Sequence, residues 1–168
     1  RWIEGHARAN RQKHSTVVSK ESILRHHIIP HLGKKRLDAI GPEDVQRLKA
    51  RLSHLSPKTV NNILSVLSGL LRTAVDWEVL PALPTRVDLV KATTPSMRYY
   101  EEEEWERLVE AAAKVSPEHL AFLLLAGEAG LRAGEIMALR WADVDLRAGV
   151  LHVRRTIWRG VEGAPKGG

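Results

Sequence analysis

The stretch from Ser56 to Val75 restricts the fold of this chain more than any other, because its apolar residues recur at intervals of three and four. This spacing places them on one face of an α-helix, and the stripe is wide enough to form the core of a helical bundle. Ser56 can cap the helix, and Pro57 suits its first position, where the missing N–H costs nothing. The apolar positions are Val60, Ile63, Leu64, Leu67, Leu70, Leu71, Ala74 and Val75.

The chain before Ser56 also favours helices. Residues 2–13 have the pattern of the end of one helix, and residues 17–29 that of a second. We expect Pro30 to end the second helix, because a proline disfavours helical geometry in the residue before it. A basic connector, His31–Arg36, follows, and Gly41-Pro42 is typical of the start of a third helix.

Periodicity is lost between residues 79 and 98, where three prolines fall within a short span. Such a stretch is typical of a link between domains. We therefore predict a helical domain over residues 1–80, a linker over 81–98 and a second domain over 99–168.

The second half predicts shorter elements and a small β component. Residues 101–114 and 119–129 favour helices, and the second of these is apolar nearly all round, so we expect it to be central. A helix over 135–140 and a strand over 150–157 follow, with Gly160 in a turn after the strand. The predicted fold class is mainly α with a small β element.

Charge is divided unequally between the two halves. The 168 residues have a net charge of +6. Residues 1–98 hold 17 Lys and Arg against 8 Asp and Glu, a net charge of +9, whereas residues 99–168 have a net charge of −3. A basic module of this size indicates a polyanionic partner, most often nucleic acid.

Several classes of site are excluded or disfavoured by composition. The chain has no cysteine, so disulfides and thiolate metal sites are excluded and a reducing cytoplasm suits it. Its eight histidines do not follow a metal-ligand spacing, and we expect no metal site. No apolar run approaches 18 residues, so we expect no membrane span, and no glycine-rich nucleotide-binding loop is present.

Arg132 lies in a glycine-bracketed corner before a short apolar helix. Gly130 would let the preceding helix end with a positive φ, and Gly134 leaves room for close approach by a backbone or a ligand. Glu135, three positions on, can pair with Arg132 and hold it. A preoriented guanidinium suits bidentate binding of phosphate. The simpler interpretation is an arginine that only caps a helix or pairs with Glu135.

The polar face of the 56–75 helix is a candidate DNA-reading surface. Amide side chains there suit adenine edges, and a lysine suits phosphate or guanine, although the face could also be merely solvated. The candidates on this face are Lys58, Asn61, Asn62, Ser65 and Arg72. Other basic residues are candidates for contacts to the DNA backbone, namely Lys20, Arg25, Lys34, Lys35 and Arg36.

The run Gly130–Asp145 closely resembles the first active-site motif of tyrosine site-specific recombinases, the phage integrase family. As in that family, a strand follows at 150–153, and a Pro-Lys-Gly turn follows at 165–167. Ile29–Gly33 and Ser56–Val60 are also similar to family features. The resemblance implies a SAM-like helical bundle followed by part of an α+β catalytic domain.

The resemblance also implies a reaction. A tyrosine would cleave and rejoin DNA through a 3′-phosphotyrosine, without cofactor or metal. Arg132 matches the first of the family's two arginines, Glu135 its supporting acid, and Lys166 its hairpin lysine, a general acid. The expected partners are a double-stranded recombination site and, on DNA, three further copies of the whole protein.

The family nucleophile has no counterpart here, since Tyr99 and Tyr100 precede Arg132 and are the only tyrosines. We therefore expect this chain alone to be unable to cleave DNA. Two other functions stay open on these residues: a related helical DNA-binding regulator without strand-transfer chemistry, and, less favoured by the basic first half, a helical adaptor.

Overall fold

The computed structural model describes residues 1–93 and 96–165, and the chain forms two compact units, Arg1–Pro95 and Ser96–Gly168. The division falls inside the segment 81–98 that the sequence predicts as a linker. Each unit has its own architecture, and the two are described in turn.

The first unit is a helical bundle. A π-helical turn, Ile3–Arg8, precedes α1 (His14–Ile23), which continues through a second π-helical stretch, Leu24–Ile28, into α2 (Ile29–Leu32). A 3₁₀ turn at Leu37–Ala39 leads to α3 (Pro42–Arg51) and the long α4 (Pro57–Asp76).

Helix α4 forms the centre of this unit, as predicted. Ser56 caps it, because its Oγ accepts the Thr59 N–H at 3.3 Å, and Pro57 occupies the first turn. Its stripe supplies the fully buried core, to which α3 adds Leu48. The largest fully buried side chains are Leu48, Ile63, Leu64, Leu67 and Leu71.

The prediction that Pro30 ends its helix is wrong. Pro30 lies in the first turn of α2, and the helical path continues to Gly33, whose N–H donates to the Ile29 carbonyl at 2.9 Å. The preceding turn, Leu24–Ile28, widens to π geometry. A wider turn relieves the collision between a proline ring and the carbonyl one turn earlier, so the proline bends the hydrogen-bond pattern without stopping the helix.

The segment after α4 packs along the first unit. Thr85 is buried, and Val87 and Val90 pack against the hydrophobic core. The Asn61 side chain donates to the Val90 carbonyl at 3.0 Å and accepts the Val90 N–H at 2.8 Å. Residues 85–90 are therefore fixed to α4 and not extended freely in solvent.

Over its described residues, 96–165, the second unit has three α-helices, a 3₁₀ turn at Trp141–Asp143 and two small sheets. Its helices are α5 (Glu102–Val115), α6 (Pro117–Gly127) and the single-turn α7 (Ala133–Ile136). Strands β1 (Val144–Asp145) and β2 (Val150–Leu151) form one antiparallel pair, and β3 (Thr156–Trp158) and β4 (Val161–Gly163) form another. The mainly α fold class with a small β element is confirmed.

Three predictions for this unit need correction. The strand expected over 150–157 is divided into β2 and β3, which belong to different sheets. Between them, the His152 N–H donates to the Asp143 carbonyl, and Arg155 pairs with the Asp143 side chain. The helix expected over 135–140 ends at Ile136. Helix α6 is not central: it packs on α5, and none of its residues is buried among the described parts of the chain. Within the described ranges, no helix is long and apolar enough to cross a membrane.

Candidate functional site

Arg132 sits at the corner between α6 and α7. Gly130 has a φ of +67°, which confirms the left-handed turn expected there and which residues with a Cβ rarely adopt. The Leu131 N–H then donates to the Leu125 carbonyl at 3.0 Å, closing the end of α6. Arg132 itself is extended and immediately precedes α7. The corner thus places Arg132 at the end of a short turn that is fixed by a backbone hydrogen bond.

Glu135 holds Arg132 at two points. One carboxylate oxygen, Oε2, accepts the Arg132 N–H at 2.9 Å, and the other, Oε1, accepts from Nη1 at 3.1 Å. The Glu135 side chain is 7% exposed whereas that of Arg132 is 68% exposed. The guanidinium is therefore anchored on one side and open to solvent on the other.

The electrostatics of this pair favour the charged carboxylate. The Arg132 backbone N–H lowers the pKa of Glu135, and the guanidinium adds to this effect despite the opposing burial. An ionised Glu135 can only accept hydrogen bonds, so it orients the donors of Arg132 without competing for an incoming phosphate. The arrangement can bind an anion through the remaining guanidinium N–H groups.

Gly134 brings α7 against β3. A Cβ built on Gly134 would lie 2.6 Å from Thr156 Oγ1 and 2.7 Å from the Ile157 carbonyl oxygen, distances that real Cβ atoms do not show. The close approach predicted for this glycine is therefore to a backbone of the same chain. It fixes the turn that holds Arg132 to the β3–β4 hairpin.

A second tie to that hairpin, through Asp143, was missed from the sequence. Its side chain is 3% exposed, accepts the Arg140 N–H at 3.1 Å and forms an ion pair with Arg155. Arg154 Nη1 lies 3.7 Å from its other oxygen. Arg140 in turn pairs with Glu162 on β4 at 2.7 Å. An Asp within a Trp-x-Asp segment gives no sequence signal for partners twelve residues away.

Two other predictions concern the hairpin lysine, Lys166, and the two tyrosines. Lys166 lies outside the described residues. Tyr99 and Tyr100 precede α5, and their side chains are strongly exposed. Among the residues that the structure describes, no cluster of His, Asp and Glu could hold a metal ion.

The candidate reading face on α4 is mostly open, with one exception. Asn61 uses both ends of its amide on Val90, which leaves no free amide edge for a base. Asn62 is exposed one position later on the helix. Of the residues predicted on this face, those that stay exposed are Lys58, Asn62, Ser65 and Arg72.

The five residues predicted to contact the DNA backbone fall into two groups, those that contact another side chain of this chain and those without an ion-pair partner within the described ranges. Lys20 lies over the Trp2 ring at 5.0 Å, and burial lowers its pKa. Lys35 pairs with Asp44 and Arg36 with Asp38. The other two members of the set, Arg25 and Lys34, are exposed, and neither has an ion-pair partner within the described ranges.

Comparison with known proteins points to one family for both units. The model of the phage integrase N-terminal SAM-like domain matches residues 1–53, and that of the phage integrase family matches residues 98–162. The chain is 29% identical over 130 residues to the ICEBs1 integrase of Bacillus subtilis, covering 76% of this chain and 35% of that protein. It is 31% identical to a shufflon-specific DNA recombinase of Escherichia coli, covering 73% and 35% respectively.

Solved structures share the fold. A Tn1549 transposon integrase in complex with a circular intermediate DNA superposes with a TM-score of 0.78 at 23% identity, covering 98% of this chain and 56% of that one. The same integrase bound to transposon right end DNA gives the same score. The chain spans about a third of the length of the curated relatives that it matches.

Proposed function

Since this chain belongs to the tyrosine recombinase, or phage integrase, family, we propose that it is the DNA-binding unit and the first part of the catalytic unit of a site-specific DNA recombinase. The observation that carries this proposal is the geometry of Arg132. Its guanidinium is held by a buried carboxylate and is open to solvent on its other side.

Arg132 would bind the DNA phosphate at which a strand is cut. Attack on a phosphodiester forms a pentavalent transition state with extra negative charge on its equatorial oxygens. A fixed guanidinium stabilises this charge without reorganising at the moment of reaction. Glu135 acts as a positioning residue, because it contacts Arg132 and is itself too buried to reach DNA.

The proposed reaction conserves the energy of the phosphodiester bond. A tyrosine of the longer protein attacks phosphorus, the bond to the 5′ oxygen breaks, and a 3′-phosphotyrosine forms. Lys166 donates the proton that the departing 5′ oxygen requires. A 5′ hydroxyl from a second duplex then reverses the step, so neither a nucleotide cofactor nor a metal is consumed.

The first unit would supply binding and site selection. Its net positive charge favours the DNA backbone, and the exposed face of α4 presents Asn62 and Lys58 for contacts in a groove. We further propose that four copies of the longer protein act on two DNA sites in the cytoplasm. The 168-residue chain alone binds DNA but does not cut it.

Strand cleavage tests this proposal. The chain first selects its preferred duplexes from a random library. These duplexes are then prepared with a nick, so that the cleaved product is trapped, and are incubated with the complete protein. We expect a covalent protein–DNA adduct on a denaturing gel, which Arg132→Lys reduces about 100-fold or more, because lysine lacks the guanidinium fork. The 168-residue chain should give no adduct.

Two outcomes would contradict the proposal. An adduct formed by the 168-residue chain would overturn its assignment as an inactive part. Tight, sequence-selective binding by the complete protein without any adduct would instead favour a DNA-binding regulator.

A further inference from the structure

A basic cleft of about 320 Å³ opens in the first unit between α2 and α3. Helix α3 contributes Arg47 and Arg51, which are four residues apart and therefore share a helix face. The end of α2 contributes His31, and the following turn contributes Lys35. Three permanent positive charges and one histidine thus surround a single opening.

The acid at the base of this cleft, Asp44, is fully engaged. Its Oδ1 accepts from Lys35 Nζ at 2.6 Å and from Arg47 Nη2 at 2.7 Å, and its Oδ2 accepts the Gly41 N–H at 2.9 Å. Its side chain is only 6% exposed. Asp44 therefore fixes two cationic groups on one oxygen while remaining shielded from anything that enters the cleft.

The charges around the opening leave an excess of positive charge. Lys35, Arg47 and Arg51 outnumber Asp44, and within the described ranges no ion pair or hydrogen bond neutralises Arg51. Glu43 lies 3.4 Å from Arg47, but its side chain is 82% exposed, so water screens its charge. Among the described residues, Arg51 is therefore the cation of this cleft whose N–H donors have no protein acceptor.

We propose that this cleft binds one phosphate group of the DNA backbone, with Arg51 as its main ligand and with Lys35 and Arg47 as supporting cations. This inference rests on the proposed function and locates one of its contacts on α3, whereas the sequence pointed to α4 and the 34–36 turn. An arginine fork matches the geometry of phosphate oxygens. Because Asp44 already orders the side chains of Lys35 and Arg47, less conformational entropy is lost when a phosphate binds.

The salt dependence of DNA binding tests this proposal. The 168-residue chain is titrated with a duplex of about 20 base pairs over a series of KCl concentrations, as wild type, Arg51→Gln and Lys91→Gln. Lys91 is exposed in the same unit but outside the cleft, so its variant removes the same charge from another place. Circular dichroism checks that both variants are folded.

We expect Arg51→Gln to reduce the slope of log K against log salt by about one, and to weaken binding about eightfold at 0.1 M salt, on duplexes of any sequence. Lys91→Gln should leave the slope unchanged and the affinity within about twofold of wild type. Equal effects of the two variants would overturn the cleft assignment and leave DNA binding itself intact.

A second arm separates the cleft from the proposed function. The side-chain NMR signals of Arg51 and His31 are followed with a duplex, with sodium phosphate and with sodium chloride at equal ionic strength. Shifts of both signals with the duplex in wild type, with the His31 shift abolished in Arg51→Gln, support the proposal. Saturable shifts with inorganic phosphate, but none with the duplex, would assign a free-anion site and overturn the DNA contact. A wild-type chain that binds no duplex would overturn both this inference and the proposed function.

Discussion

The contact between Gly134 and β3 predicts that a single methyl group will displace the hairpin from the arginine corner. In Gly134→Ala, the new Cβ would lie 2.6 Å from Thr156 Oγ1 and 2.7 Å from the Ile157 carbonyl oxygen. The threonine can rotate away, but the carbonyl belongs to β3 and moves only with the strand. An ordinary contact of 3.4 Å therefore requires a shift of about 0.7 Å.

The expected cost follows from two opposing effects. Overpacking against backbone costs up to about 3 kcal/mol, whereas alanine in a helical turn gains about 1 kcal/mol over glycine. The second unit should therefore lose about 2 kcal/mol, which corresponds to a fall of about 10 °C in its Tm. Its slowest amides should exchange about 30-fold faster.

Hydrogen exchange read by mass spectrometry measures this effect in the second unit separately from the first. Gly163→Ala is the matched control, because a Cβ there meets no atom of the described residues within 4 Å and its φ is not positive. Adding Thr156→Ala to Gly134→Ala should restore only part of the loss. Equal stability of Gly134→Ala and Gly163→Ala, or full rescue by Thr156→Ala, would refute the argument that the Ile157 carbonyl is the constraint.

Three further predictions concern the first unit. Ser56→Ala removes the cap of α4 and should cost about 1 kcal/mol in urea unfolding, and Ser56→Thr should retain most of it; an unchanged midpoint would argue against the cap. Asn61→Ala removes both hydrogen bonds to Val90, so limited proteolysis should cut near residue 90 faster, while sequence preference on DNA is unchanged. A loss of affinity confined to specific duplexes would show instead that Asn61 contacts a base. Lys35 and the Gly41 N–H lower the pKa of Asp44, so its contribution to stability is complete above about pH 4 and is lost as pH falls towards the folded pKa. Thermal unfolding between pH 2 and 7 should show wild type converging with Asp44→Asn at low pH, and a constant difference would contradict this sign.

Local chemistry determined the features that the sequence predicted well. The cap at Ser56, the stripe of α4 and the left-handed Gly130 each depend on a few neighbouring residues. The Arg132–Glu135 pair is only three residues apart, within one turn, and so was visible as a spacing. Such features can be read directly because propensity, capping and periodicity act over about one helical turn.

The features that the sequence did not predict depend on distant partners. The type of Asn61 and its position near a helix start predict a contact to adenine, but Val90, 29 residues away, occupies its amide. The burial of Asp143 and its pairing with Arg155 also follow from the tertiary fold. The sequence predicts a helix end at Pro30, whereas the preceding π-helical turn accommodates this proline within a continuing helix.

The most direct measurement of the central claim couples Arg132 to one DNA phosphate. A selected duplex is prepared with single neutral methylphosphonates across the bound region, and its affinity is measured for the wild-type chain and for Arg132→Ala. We predict one position at which neutralisation weakens wild-type binding about tenfold but leaves Arg132→Ala unchanged, since the charged hydrogen bond is already absent. Losses that simply add at every position would show that this guanidinium touches no phosphate.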